Sequence, residues 1–318
     1  MLIQFDFDAA VQAPFRMQPG LRRMAVSATH FTPIPAGSRH QREKLAVLSS
    51  TPERALVASA DFDPTACLNA VFERAQLEQP EHFAWDGRRA SSPTLGVTVD
   101  DQGVHRTARG VFGLGDEVAR CIETLPAAWQ RVALLALTFA EDLAIVDART
   151  ATVPWIAATL PSRWSPQAKV GRTFAQLHAD VADNAALLKA GEHLMQLVCS
   201  GERWERFVWN VTGHSRLNAH PLVVASEAWA TGAFDSREAP SAWFRSERQT
   251  FLPLAARQQA VFMIGVDCEA LPQAIDSPAR ATTLRAAVDS MSDQVLAYRG
   301  LVGVKSALIH WLDQRATT

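Results

Sequence analysis

Asp142-Leu-Ala-Ile-Val-Asp147, the polar turn Ala148-Arg-Thr150, and Thr152-Val-Pro-Trp-Ile-Ala-Ala-Thr-Leu160 form the stretch whose reading decides the fold. Both runs are rich in β-branched and aromatic residues and are bounded by polar turn formers, so they predict two strands. Pro161 and Pro166 then break the chain. The spacing predicts a helix over Lys169–His178 and a longer amphipathic one over Asn184–Cys199, which presents Leu187, Leu188, Leu194, Met195 and Val198. Three strand candidates follow: Trp204–Thr212, Ala242–Pro253 and Gln259–Val266. Two strands, helices and three more strands predict an α+β fold. Its economical form is an antiparallel sheet with helices on one face.

Outward from this block the texture differs on each side. Residues 1–140 read as an irregular N-terminal arm and a helical region. Pro14, Pro19-Gly20, Pro33 and Pro35, with the basic stretch Arg39–Lys44, read as the arm. Asp63-Pro64 supplies the start of a helix carrying Leu68, Val71, Phe72 and Ala75. A polar loop follows to Pro93, and further helices are expected over Asp116–Thr124 and Ala127–Ala140. The run Gly110-Val-Phe-Gly-Leu-Gly115 lacks G-x-G-x-x-G spacing and reads as a turn. Residues 141–270 form the sheet domain. Residues 271–318 read as a C-terminal helical pair, with one stripe over Leu284, Val288, Met291, Val295 and Tyr298, and a second over Leu301, Lys305, Leu308 and Leu312.

Several function classes are excluded. A net charge of −2 over 318 residues, with both signs interspersed, offers no basic stripe for nucleic acid. The strongest apolar run, Val132–Phe139, is far too short to cross a membrane. The N-terminus lacks a signal-peptide pattern, so a cytoplasmic protein is expected. Cys67, Cys121, Cys199 and Cys268 make no C-x-x-C pair and read as buried thiols. No G-x-S-x-G occurs. Tyr298 is the one phenol in the chain.

The chemistry gathers at His178. On a helix, Val170, Phe174, Leu177 and His178 share a face, and an imidazole on an apolar stripe needs compensation. That compensation is either a backbone carbonyl or a metal such as haem iron on its neutral nitrogen. His214 and His220 are rival ligands, six residues apart in a long loop from Gly213 to Ser241, without the spacing of helical metal pairs. The element order matches that of PAS-type sensor domains, an analogy at the level of fold.

Four segments resemble the catalytic haem-binding alpha subunit of the haem-dependent oxidative N-demethylase family. They are Pro14-Phe-Arg-Met-Gln-Pro-Gly-Leu-Arg-Arg23, Leu160-Pro-Ser-Arg-Trp164 leading through Lys169-Val-Gly-Arg172 to His178, Arg206-Phe-Val-Trp-Asn210, and Phe244-Arg-Ser-Glu-Arg-Gln-Thr-Phe251. The last two are the most specific. The chain departs from the family after the histidine, where Ala179-Asp-Val-Ala-Asp183 replaces a Pro-Val-Pro-like turn. The resemblance implies a PAS-like haem domain with His178 as the iron ligand. It also implies a monooxygenase that demethylates a small secondary amine such as dimethylamine, using O2, to a primary amine and formaldehyde.

Beside the resemblance, Ser246-Glu-Arg-Gln-Thr250 puts polar groups on both faces of a strand, which marks an edge, a network or a site. Glu247 is expected to receive the cationic amine. Arg248 or Gln249 is expected to donate to iron-bound oxygen. Lys169, Arg172 and Arg245 are candidates for the haem propionates. Trp164, with Trp155, Trp204 and Trp209, is a candidate wall for a flat macrocycle. The chain has neither a dinucleotide fingerprint nor a cysteine cluster. Electrons from NAD(P)H are therefore expected through a separate flavin and iron–sulfur reductase, in a possible hetero-oligomer. The alternative is a non-catalytic, gas-sensing haem protein.

Overall fold

The computed structural model describes residues 1–110, 113–225, 229–236 and 240–317. Its strands are, in chain order, β1 (Arg22–Arg23), β2 (Leu56–Ala58), β3 (Ala84–Trp85), β4 (Ala90–Ser92), β5 (Val97–Asp100), β6 (Gly103–Arg106), β7 (Asp142–Asp147), β8 (Thr152–Ala157), β9 (Trp204–Thr212), β10 (Trp243–Leu254) and β11 (Gln259–Ala270). Seven of them make one sheet in the order β1-β9-β10-β11-β7-β8-β2, and β3 to β6 make a separate four-stranded meander. Every pairing in the large sheet is antiparallel. With its helices, the chain is an α+β protein.

The large sheet is covered on both faces, which corrects the expectation of helices on one. Leu143 and Ile145 of β7 enter one core with helices Thr65–Glu78 and Ala127–Thr138. Ala144 and Val146 of the same strand enter another with Met195, Val198 and Cys199 of helix Gly191–Cys199. All six residues of β7 are buried, as in a strand covered on both sides. The C-terminal helices join the first face through Trp209, Val211 and Phe244.

Other expectations are also corrected. The stretch before residue 60 is not all irregular: Ser38 caps a helix over Arg39–Ser50. Strands β1 and β2 pair with β9 and β8, so the arm supplies both edges of the sheet. The loop before Pro93 holds β3 and β4, too short to show a period. The C-terminal region is four α-helices among the described residues, the single turn Leu271–Ala274 and then Pro278–Asp289, Asp293–Arg299 and Lys305–Ala316, rather than a pair.

In the Gly110–Gly115 run, Val111 and Phe112 lie outside the described residues. The Glu117 carboxylate accepts the N–H groups of Leu114, Gly115 and Asp116 there, filling the nest that a phosphate would use. All four cysteines are free and buried. Among the described residues no helix is long and apolar enough to cross a membrane.

Candidate functional site

The expected helix over Lys169–His178 is in fact one turn, Phe174–His178. Gly171, at φ +76, interrupts the chain before it. Thr173 and Gln176 then restart the chain as a reciprocal capping box. The far end is tied down as well. Lys169 Nζ donates to the Leu177 carbonyl at 3.0 Å, and Asn184 Nδ2 donates to the carbonyls of His178 and Ala179, each at 2.9 Å.

His178 is held by its own turn. Its Nδ1 lies 2.8 Å from the Phe174 carbonyl. A carbonyl can only accept, so Nδ1 carries the proton and Nε2 presents its lone pair. Nε2 has no hydrogen-bond partner among the described residues. Burial pulls the imidazole pKa down, against the Phe174 hydrogen bond and with help from the Arg206 and Lys169 charges. The ring stacks on Phe174 at 4.1 Å between centroids. Behind Phe174 stands Gly191, where a Cβ would lie 2.5 Å from the Phe174 ring. The expected long helix over Asn184–Cys199 is broken there into Ala185–Lys189 and Gly191–Cys199.

The sheet face opposite is built by strand alternation. Glu247 pairs in register with Val208, and Gln249 with Arg206, so Trp204, Arg206, Val208 and Asn210 share the face of Glu247 and Gln249. Gln249 Nε2 donates to Glu247 Oε2 at 2.6 Å. Burial lowers the Arg206 pKa, and the Glu247 charge opposes this. Trp204 Nε1, Arg206 Nε and Asn210 Oδ1 are each sealed from solvent without a partner. Unsatisfied buried polar atoms are costly. The three lie on one face of the strand β9. Tyr298 joins it electrostatically: desolvation raises its hydroxyl pKa, the Arg299, Arg163 and Arg206 charges lower it, and Glu247 raises it.

The structure separates the remaining candidates. Arg245 donates to Ser162 Oγ and to the carbonyls of Leu160, Arg216 and Leu217 at 2.7 to 3.3 Å, riveting the segment that leads to His178 onto the loop after β9. Arg248 points to the opposite face, where it meets Glu205 at 2.9 Å. Arg172 is exposed and Lys169 half-buried. Trp164 packs beside Phe174 and Leu177. Trp155 stacks on Trp129 in the other core, and Trp209 on Phe244.

His220 Nδ1 accepts the Leu222 N–H at 3.1 Å, which puts its proton on Nε2 and leaves no lone pair for a metal. His214 lies among Arg245, Arg216 and Arg163, whose charges act with burial to lower its pKa. Residues 226–228 and 237–239 of this loop lie outside the described residues. Among the described residues no group of three or more histidine, cysteine or carboxylate side chains is placed to hold a bare metal ion.

Arg206 and Asn210, quoted above only as the ends of a segment, and Tyr298, noted only as the one phenol, were given no site role from the sequence. Polar side chains two and four positions apart in the apolar strand β9 were the available signal. This donor set fits haem: one neutral imidazole nitrogen, flat Trp164 and Trp204, and cations for carboxylates. A comparison with curated proteins gives no match. A family model described as haem-dependent oxidative N-demethylase, alpha subunit-like, matches residues 115–309, a span that contains His178, Arg206, Glu247 and Tyr298. The match covers more than half of the chain, which therefore belongs to the haem-dependent oxidative N-demethylase alpha subunit-like family.

Proposed function

We propose that this protein is a haem-dependent monooxygenase that demethylates a small secondary amine such as dimethylamine. One observation carries the reading: His178 has its proton fixed on Nδ1 and its Nε2 free, beside a sheet face that holds Glu247. In this reading the sheet is PAS-like, His178 Nε2 is the iron ligand, and Trp164 and Trp204 wall the macrocycle. Lys169 keeps two N–H groups beyond its Leu177 bond, and with Arg172 it serves the propionates. When bound, haem supplies oxygen activation and one-electron chemistry. Arg245 and Arg248 hold the fold on either side.

Glu247 receives the ammonium group at Oε1, because Gln249 fixes the carboxylate through Oε2. The half-buried Arg206 guanidinium, sealed from solvent and unpartnered at Nε, is the donor on this face for a developing negative charge. The net reaction consumes the amine, O2, two electrons and two protons, and yields the primary amine, formaldehyde and water. The electrons come from NAD(P)H through a separate flavin and iron–sulfur reductase. The words alpha subunit in the family description support such a partner. The proposed setting is the cytoplasm.

Absorption spectroscopy with haem supplied tests the cofactor. A Soret band in the parent, lost in His178→Ala and kept in His214→Ala and His220→Ala, is expected. Formaldehyde release from dimethylamine with a competent reductase tests the reaction. No band sinks the haem reading, and a band without formaldehyde leaves the sensor.

A further inference from the structure

We infer that Tyr298 is a specificity-determining residue: its phenol oxygen accepts one N–H of a secondary ammonium whose other N–H is held by Glu247. The site thereby counts N–H groups, favouring a dialkylammonium over a trialkylammonium ion. This rests on the proposed function, and it adds a residue from the C-terminal helices to a site otherwise built from the sheet and the His178 turn.

The placement follows from the anchoring of the neighbouring residue. Arg299 Nη1 donates to the Trp209 carbonyl, and its guanidinium lies 4.5 Å from the Phe15 ring and 4.7 Å from the Trp209 ring. Asn210 Nδ2, from the Glu247 face, donates to the Arg299 carbonyl at 3.2 Å. Trp229 Nε1 donates to the next carbonyl, that of Gly300, at 2.8 Å. The last turn of the helix Asp293–Arg299 is thus fastened to β9 beside Glu247, and Tyr298 is carried there with it.

Tyr298 is 45% exposed, as suits a residue at the mouth of a site. Its hydroxyl has no hydrogen-bond partner among the described residues, and Glu247, Arg206 and Arg163 all act on it electrostatically. A phenol in this position can donate to Glu247 and accept from the cation at once. Two acceptors satisfy a dialkylammonium completely, whereas a trialkylammonium has a single N–H to offer.

The test is calorimetric binding of dimethylammonium and trimethylammonium to the haem-loaded full chain near neutral pH. The parent is expected to prefer dimethylammonium. Tyr298→Phe should weaken that cation roughly tenfold, the loss of one charge-assisted hydrogen bond, and leave trimethylammonium unchanged. A second readout is the tyrosine Fermi doublet in the Raman spectrum, which reports one phenol because the chain has one tyrosine. It should shift when dimethylammonium is added to the parent. Equal losses for both cations, no loss for either, an unmoved doublet, or a parent that binds neither would overturn the assignment. A parent that binds dimethylammonium in this pattern but releases no formaldehyde with its reductase overturns the proposed reaction and leaves Tyr298 in place.

Discussion

Glu247 and Arg248 are neighbours in the chain and lie on opposite faces of β10. Glu247 stands with Gln249 and Arg206 on the face toward His178. Arg248 is ion-paired to Glu205 on the other, with side chains 5% and 7% exposed. The pleat enforces this division, because successive side chains leave a strand on opposite sides. One polar run therefore divides between the two faces, and the Arg248 guanidinium is spent on a buried brace on the side away from Glu247.

Arg248→Met should lower stability by about 2 kcal/mol, because it removes one of the two arginines from the buried Glu205 carboxylate, which keeps Arg22 at 3.1 Å. The KM for dimethylamine of the protein that remains folded should match the parent. Denaturant unfolding and initial rates check the two halves. A changed KM with unchanged stability would place Arg248 in the substrate site.

Glu247→Gln should do the reverse. The residue is 8% exposed, and its neighbour Gln249 can rotate its amide to keep the mutual hydrogen bond. Unfolding should therefore shift by less than about 1 kcal/mol. The KM for dimethylamine should rise at least tenfold, on the order of one charge-assisted hydrogen bond. Equal KM values for the two proteins would remove Glu247 from amine recognition.

Gly191→Ala should loosen haem without touching a haem-facing residue. The new Cβ would press on the Phe174 ring, the ring that stacks on His178 and whose backbone carbonyl fixes Nδ1. Overpacking of this kind costs about 1–3 kcal/mol. A faster transfer of haem to apomyoglobin than from the parent is expected, with partial recovery when Phe174→Leu is added. Unaltered haem release would show that Phe174 does not position the histidine.

Glu141 should make stability fall as pH rises from about 5 to 8, against His40, His178, His214 and His220, whose pKa values burial holds below the ordinary one and which act in the opposite sense. Burial pushes its carboxyl up to about 7, against hydrogen bonds from Thr32 and the charge of Lys44. A folded-state value above the ordinary 4.5 means that the native state binds the extra proton. The stabilisation is complete below the ordinary value and is lost as pH rises through about 7. The full effect is roughly 3 kcal/mol. Thermal unfolding of Glu141→Gln should lack this falling component, and its stability relative to the parent should rise with pH, since the amide has no proton to lose. The same slope in both proteins would assign it elsewhere.

Much of the central sheet was legible because its signals are local. The bounds of β7 and β9 coincide with the runs Asp142–Asp147 and Trp204–Thr212, where β-branched and aromatic residues sit between turn formers. The first turn of the His178 region was less so: Gly171 ends what the apolar spacing had extended. Even so, the i, i+4 relation between Phe174 and His178 survives in the shortened helix, and through it Nδ1 meets a carbonyl. The meander β3 to β6 was invisible, since strands of two to four residues show too little of a period.

The sequence alone carried the five long strands of the central sheet, their order, the i, i+4 relation of Phe174 and His178 on a helix, and the polar run that contains Glu247 and Arg248. All of these follow from the covalent geometry of neighbouring residues. Only the assembled fold decided that helices cover both faces, that Arg245 rivets two loops together, and that the helix Asp293–Arg299 from the far end of the chain is fastened to β9 through Asn210. Those depend on contacts between segments far apart in sequence. Which of them form is settled by burial and hydrogen-bond satisfaction over the whole fold, and no local pattern carries that information.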